Sequence, residues 1–168
     1  MATAADFLIF VGADEWDARV YQVLSSASNL ALAVKRRSNT LRIAYHLHKL
    51  NGTLKGMLEE VYAVLEGKKH VEPVQEPVTP QRLRQSSDNL ERISRMIEAL
   101  YESGRRAGLT NNSLTAGPLD AIRKHIPELL DVAEWFEAAA DSEQVNSAFA
   151  RAREESKNGD IYDLSQVE

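Results

Sequence analysis

An unbroken apolar repeat restricts this chain more than any other feature. Ile43, Leu47, Leu50, Leu54, Met57, Val61 and Val64 follow one another at spacings of four, three, four, three, four and three. A helix of 3.6 residues per turn puts all seven on one side, and a row held in register over three heptads is the seam of helix–helix packing. Leu58 and Leu65 widen the stripe. Gly52 and Gly56 fall inside it, and each weakens a helix by about 1 kcal/mol relative to Ala. The seam continues through both, so the spacing predicts one helix over 38–66. Such a helix is on the order of 40 Å long. Ser38 or Asn39 is its cap, and the two glycines offer close approach to a neighbouring helix.

A helix with a buried stripe needs other helices to cover it, and three more segments have matching faces. Residues 14–36 carry Trp16, Val20, Val23, Leu24, Ala27, Leu30, Ala31 and Val34 at helical spacing. Asp14, Glu15 and Asp17 stand at the start and Lys35, Arg36 and Arg37 at the end, matching the helix dipole. Thr79-Pro80 opens a helix over 80–104 with Leu83, Leu90, Ile93, Ile97 and Leu100 as its face. A segment over 118–140 buries Leu119, Ile122, Ile126, Leu129, Leu130, Ala133 and Phe136. Pro127 lies inside it and predicts a kink or a short break. A shorter fifth helix over 142–157 uses Val145, Ala148, Phe149 and Ala152 and stops at Asn158-Gly159.

Pro73, Pro77 and Pro80 make residues 71–80 a linker between two helical hairpins, and residues 105–117 read as a loop. The expected fold is all-α: an antiparallel four-helix bundle with a short fifth helix, one domain over 1–158 and an extended C-terminal tail over 159–168. Phe7-Leu8-Ile9-Phe10-Val11 reads as a short segment packed on the bundle, or else as a short strand or an apolar end that docks on a partner.

Composition narrows the function classes. The chain has no cysteine, which excludes disulfides and thiolate-based metal sites. No apolar run approaches the roughly 20 residues that span a bilayer, and residues 7–11 lack the basic leader of a secretory signal. The expected setting is the cytoplasm. The net charge of −5 argues against nonspecific nucleic-acid binding by the whole molecule. The charge is unevenly spread: residues 35–70 hold eight basic and three acidic side chains, and residues 118–168 hold five basic and twelve acidic.

Candidate chemistry is sparse. His46 and His48, two residues apart, point about 200° apart on a helix and do not converge on one metal. Glu128, Asp131, Glu134, Glu137 and Asp141 form an acidic ridge without the Glu-x-x-His pattern of di-iron bundles. The ridge reads as a solvated face or as the counterpart of a basic one. Lys35, Arg42 and Lys49 recur every seven residues, with Arg36, Arg37 and Lys55 near by. Together these six form a candidate anion-binding ridge for nucleic acid or an anionic membrane. No nucleophile motif, phosphate-binding glycine loop or dinucleotide fingerprint occurs, so no cofactor or metal is expected.

Two limited resemblances accompany these readings. Arg42 and His48, six apart in a helical protein, resemble the Arg–His pair of HEPN ribonucleases, although Ile43 stands where that family has a polar residue. The resemblance implies His48 as general base and Arg42 as phosphate stabiliser. The C-terminal run from Phe149 to Val167, a short helix, a Gly stop and an acidic–apolar tail, resembles the toxin-binding tails of some bacterial antitoxins. It implies partner binding through Ile161, Tyr162, Leu164 and Val167, apolar groups that otherwise dock back on the bundle. The function expected first is therefore a non-enzymatic interaction or regulatory module that holds a protein partner, a second copy included, through a bundle face or this tail. An anion-binding module is the alternative, and a HEPN-like ribonuclease the enzymatic one.

Overall fold

The computed structural model describes residues 3–68 and 78–141, and among them there are six α-helices and no strand. The helices are α1 (Ala4–Val11), α2 (Ala13–Lys35), α3 (Thr40–Leu65), α4 (Pro80–Arg106), α5 (Ala116–Arg123) and α6 (Ile126–Ala140), with a 3-10 turn at Leu109–Asn111. The segments predicted over 14–36, 38–66 and 80–104 correspond to α2, α3 and α4 within two residues. The predicted fifth helix, the tail and residues 71–77 of the linker lie outside the described residues.

The repeat in α3 performs as its spacing predicts. Ile43, Leu47, Leu50, Leu54, Met57, Val61 and Val64 are all buried, and Leu47, Leu50 and Leu54 have no exposed surface. Burying a leucine side chain contributes about 1.5–3 kcal/mol, so this row outweighs the two glycines several-fold. Asn39, rather than Ser38, caps the helix: its side-chain oxygen accepts from the Arg42 backbone N–H at 2.9 Å.

Two antiparallel hairpins make the bundle. One is α2–α3, tied at its open end by Arg19–Glu60 at 3.0 Å. The other is α4–α6, tied by Arg84–Asp141 at 2.6 Å. Arg82 at the start of α4 bonds Asp17 at the start of α2, so these two helices run in the same direction across the hairpins. The antiparallel arrangement thus holds within each hairpin, and like-directed helices meet between them.

The interruption expected at Pro127 is a short break rather than a kink: α5 ends at Arg123 and α6 begins at Ile126. Two expectations of local detail are corrected. Ala31 and Leu130 face outward, while Ala33 and Val132 take the buried places. The glycines in α3 do not admit a neighbour, since a Cβ on Gly52 or Gly56 would meet nothing within 4 Å. The glycine at a close approach is Gly104 in α4, where a Cβ would lie 3.0 Å from Leu119 Cδ2 and 3.2 Å from Leu109 Cδ1.

Residues 7–11 belong to a helix, not a strand. Thr3 and Asp6 form a reciprocal capping box at its start. Phe7 enters an aromatic cluster with Trp16 of α2 at 5.4 Å and Phe136 of α6 at 6.4 Å, which fixes α1 over one end of the bundle. Gly12 (φ 91) turns the chain from α1 into α2 in a conformation that L side chains rarely adopt.

The C-termini of α2, α3 and α4 share one motif. The residue just past the cap is left-handed Gly67 (φ 74) after α3 and Gly108 (φ 81) after α4. After α2 it is Arg37 (φ 53), the only non-glycine residue with positive φ among the described residues. There Ser38 N–H donates to Ala33 O at 3.0 Å and Arg37 N–H to Val34 O at 3.1 Å. A side chain in that conformation costs about 1–2 kcal/mol.

These placements give opposite expectations for glycine replacement. Gly52→Ala and Gly56→Ala should each stabilise the fold by about 0.5–1 kcal/mol in urea unfolding. Gly104→Val should destabilise it by about 1–3 kcal/mol, because Leu119 and Leu109 must give way.

Candidate interaction surface

The side of α3 opposite the seam is chemically unusual. No carboxylate occurs between Asp17 and Glu59, while Arg19, Lys35, Arg36, Arg37, Arg42, Lys49 and Lys55 do. Leu41 and Tyr45, one turn apart on this outer side, are 72% and 59% exposed. Arg42, His48 and Lys49 are exposed around them, followed by exposed Gly52 and Gly56. Tyr45 stands edge-on to the half-buried His46, with ring centroids 5.3 Å apart. The result is a strip with two large apolar groups, a cationic border and a bare backbone stretch.

The six residues of the predicted basic ridge are all exposed but do not form one line. Lys35 closes the last turn of α2, Arg36 and Arg37 lie in the α2–α3 turn, and Arg42, Lys49 and Lys55 lie on α3. The seven-residue spacing of Lys35 and Arg42 is interrupted because the chain reverses direction at Arg37. Lys55 approaches Glu59 at 3.9 Å. Lys35, Arg36, Arg37, Arg42 and Lys49 make no ion pair among the described residues.

Arg42 and His48 are both on the outer side of α3, with no side-chain hydrogen bond among the described residues. Neither lines the groove beside the α2–α3 turn or the groove between α3 and the start of α6. In the acidic ridge, Asp131, Glu134 and Glu137 are exposed, and Asp141 bonds Arg84 rather than any residue of the basic ridge. Ile161, Tyr162, Leu164 and Val167 lie outside the described residues.

Sequence reasoning missed His125. Its ring bridges the break before α6 to α3, with Nε2 2.8 Å from Asn51 Oδ1 and Nδ1 3.1 Å from Glu128 Oε1. These partners are 74 and 3 residues away, and only the folded arrangement brings the distant one within reach. The ring borders a groove of about 530 Å³ between α3 and the start of α6, also lined by Leu58, Tyr62 and Ala63. Its ionic groups are Lys55, Glu59, Glu66, Lys68 and Glu128. Burial raises the Tyr62 phenol above its ordinary value of 10.0, and Asp131, Glu128 and Glu66 add to the rise through their negative charge.

No known protein family, curated protein or solved structure matches this chain. No helix among the described residues is long and apolar enough to cross a membrane.

His125→Ala should destabilise the fold by about 1–2 kcal/mol through loss of the α3 tie, measured by urea unfolding near neutral pH. The Tyr62 phenol holds its proton more tightly when folded, so its contribution is fully present below about pH 10 and lost as pH rises through the folded value. The fall in wild-type stability from about pH 8 to about pH 11 should therefore be steeper than that of Tyr62→Phe.

Proposed function

We propose that this chain is a non-enzymatic interaction module that holds a protein partner of acidic surface charge on the outer side of α3. The observation carrying this reading is Leu41 and Tyr45, 72% and 59% exposed on adjacent turns and bordered by cations without ion-pair partners among the described residues. Tyrosine and arginine are the residue types most often found to dominate binding energy at interfaces. Here Tyr45 and Leu41 are the apolar anchors, and Arg42 and Lys49 the rim charges that steer an acidic surface. Gly52 and Gly56 extend the strip. Each weakens α3 by about 1 kcal/mol without serving a contact inside the bundle, and their bare backbone admits a partner segment at short range.

An apolar pair distinguishes this strip from a plain polycation. Binding dominated by phosphate contacts weakens steeply with salt, whereas contacts through Leu41 and Tyr45 persist. The anion-binding reading and the protein-partner reading therefore differ in an observable way.

Affinity capture from native lysate tests the proposal. The full chain, a Leu41→Ala/Tyr45→Ala variant and a chain ended at Gly159 are compared, each with and without nuclease. A protein captured by the full and shortened chains, resistant to nuclease, should be weakened at least about tenfold by the α3 variant. Loss on shortening alone would assign binding to the tail, and loss on nuclease treatment would assign it to nucleic acid. Either outcome overturns the α3 reading, as does capture that survives the α3 variant.

A further inference from the structure

Arg37 occupies a helix-end position that α3 and α4 give to glycine. The unfavourable backbone conformation is kept with a long cationic side chain in place. Helix-dipole stabilisation is not sufficient, because Lys35 and Arg36 already stand at the same terminus. Arg37 makes no ion pair among the described residues. It borders a groove of about 660 Å³ between the α2–α3 turn and the C-terminal end of α4. That volume is within the usual range for small-molecule sites, about 300–1,000 Å³.

Arg106 borders the same groove from α4. It too has no ion-pair partner among the described residues, since the nearby carboxylate, Glu102, bonds Arg105 at 2.9 Å. Cation density at this end of the bundle is high. Glu102 is held below the usual carboxylate range, chiefly by Arg105, with Arg106 and Arg123 adding to the effect. Ser38, Thr40 and Ser103 line the groove as well, and none of their hydroxyls is hydrogen-bonded among the described residues. The remaining surface is apolar and includes the buried Ile43 and Leu109.

We propose that this groove binds a phosphomonoester of a small molecule, with Arg37 and Arg106 gripping the phosphate and the apolar floor receiving the organic body. Guanidinium groups pair with phosphate through two parallel N–H···O bonds, which a carboxylate-free border leaves available. The unbonded hydroxyls supply donors for the remaining phosphate oxygen. Ile43 and Leu109 favour an apolar or aromatic body over bare inorganic phosphate. This site is separate from the outer strip of α3 and does not depend on what that strip binds.

Calorimetric titration of the full chain with phenyl phosphate, at about 0.15 M ionic strength to screen diffuse attraction, tests the proposal. One saturable site is expected, with inorganic phosphate competing for it more weakly. Arg37→Gly and Arg106→Gln should each weaken binding at least about tenfold. Arg95→Gln, which removes an exposed charge elsewhere on α4, should change it less than about twofold. Arg37→Gly has a second signature: it relieves the left-handed backbone, so the melting midpoint should rise while phosphate binding falls. Heat that does not saturate, or equal weakening by Arg95→Gln, overturns the proposal. So does a loss of binding confined to variants whose circular dichroism shows unfolding.

Discussion

Burial of the α3 seam is the constraint on which the remaining structure rests. Seven apolar side chains on one face of a 26-residue helix cannot be left in water, and they are covered chiefly by α2 and α5. Their combined transfer free energy, at about 1.5–3 kcal/mol each, far exceeds the penalty of two glycines in the same helix. That imbalance keeps α3 continuous. It also leaves Gly52 and Gly56 on the outside, because the seam fixes the rotation of the helix about its axis. The exposed strip of Leu41, Tyr45, Arg42 and Lys49 is therefore the geometric complement of the core: rotating α3 to hide Tyr45 would expose Leu47, Leu50 and Leu54.

Charge is segregated along the bundle as a consequence of topology. Because α2 and α4 run in the same direction, their C-terminal ends fall at one pole, each with the basic residues that a helix C-terminus favours. Arg37 from one hairpin and Arg106 from the other thus border the same groove. The opposite pole holds the α1 cap, the Arg19–Glu60, Arg82–Asp17 and Arg84–Asp141 pairs and the aromatic cluster of Phe7, Trp16 and Phe136. Among the described residues, cations are matched at that pole, while Arg36, Arg37 and Arg106 at the other have no ion pair. The difference separates the end where ion pairs tie the hairpins together from the end where Arg37 and Arg106 border an open groove.

Side chains with long-range partners could not be read ahead of the fold. His125 carries no sequence signal, because Asn51, which it meets, lies in another hairpin. The helix expected over 80–104 runs on to Arg106, and Gly104 admits Leu119. Arg37 looked like one cation among several at a helix end. Its distinction is a backbone conformation shared only with glycines among the described residues. In each case the deciding quantity was a distance or an angle set by a neighbour far away in the chain.

Local periodicity by itself determined that the chain is helical, where α2, α3 and α4 begin and end to within two residues, and which side of α3 is buried. These properties depend on residues three and four apart, whose relation a helix fixes without outside help. Tertiary structure decided which hairpins lie side by side, that the Pro127 region breaks into α5 and α6, and that Arg37 and Arg106 face one groove. Those outcomes depend on how separate apolar faces dock, and many residue spacings are compatible with the same local helices.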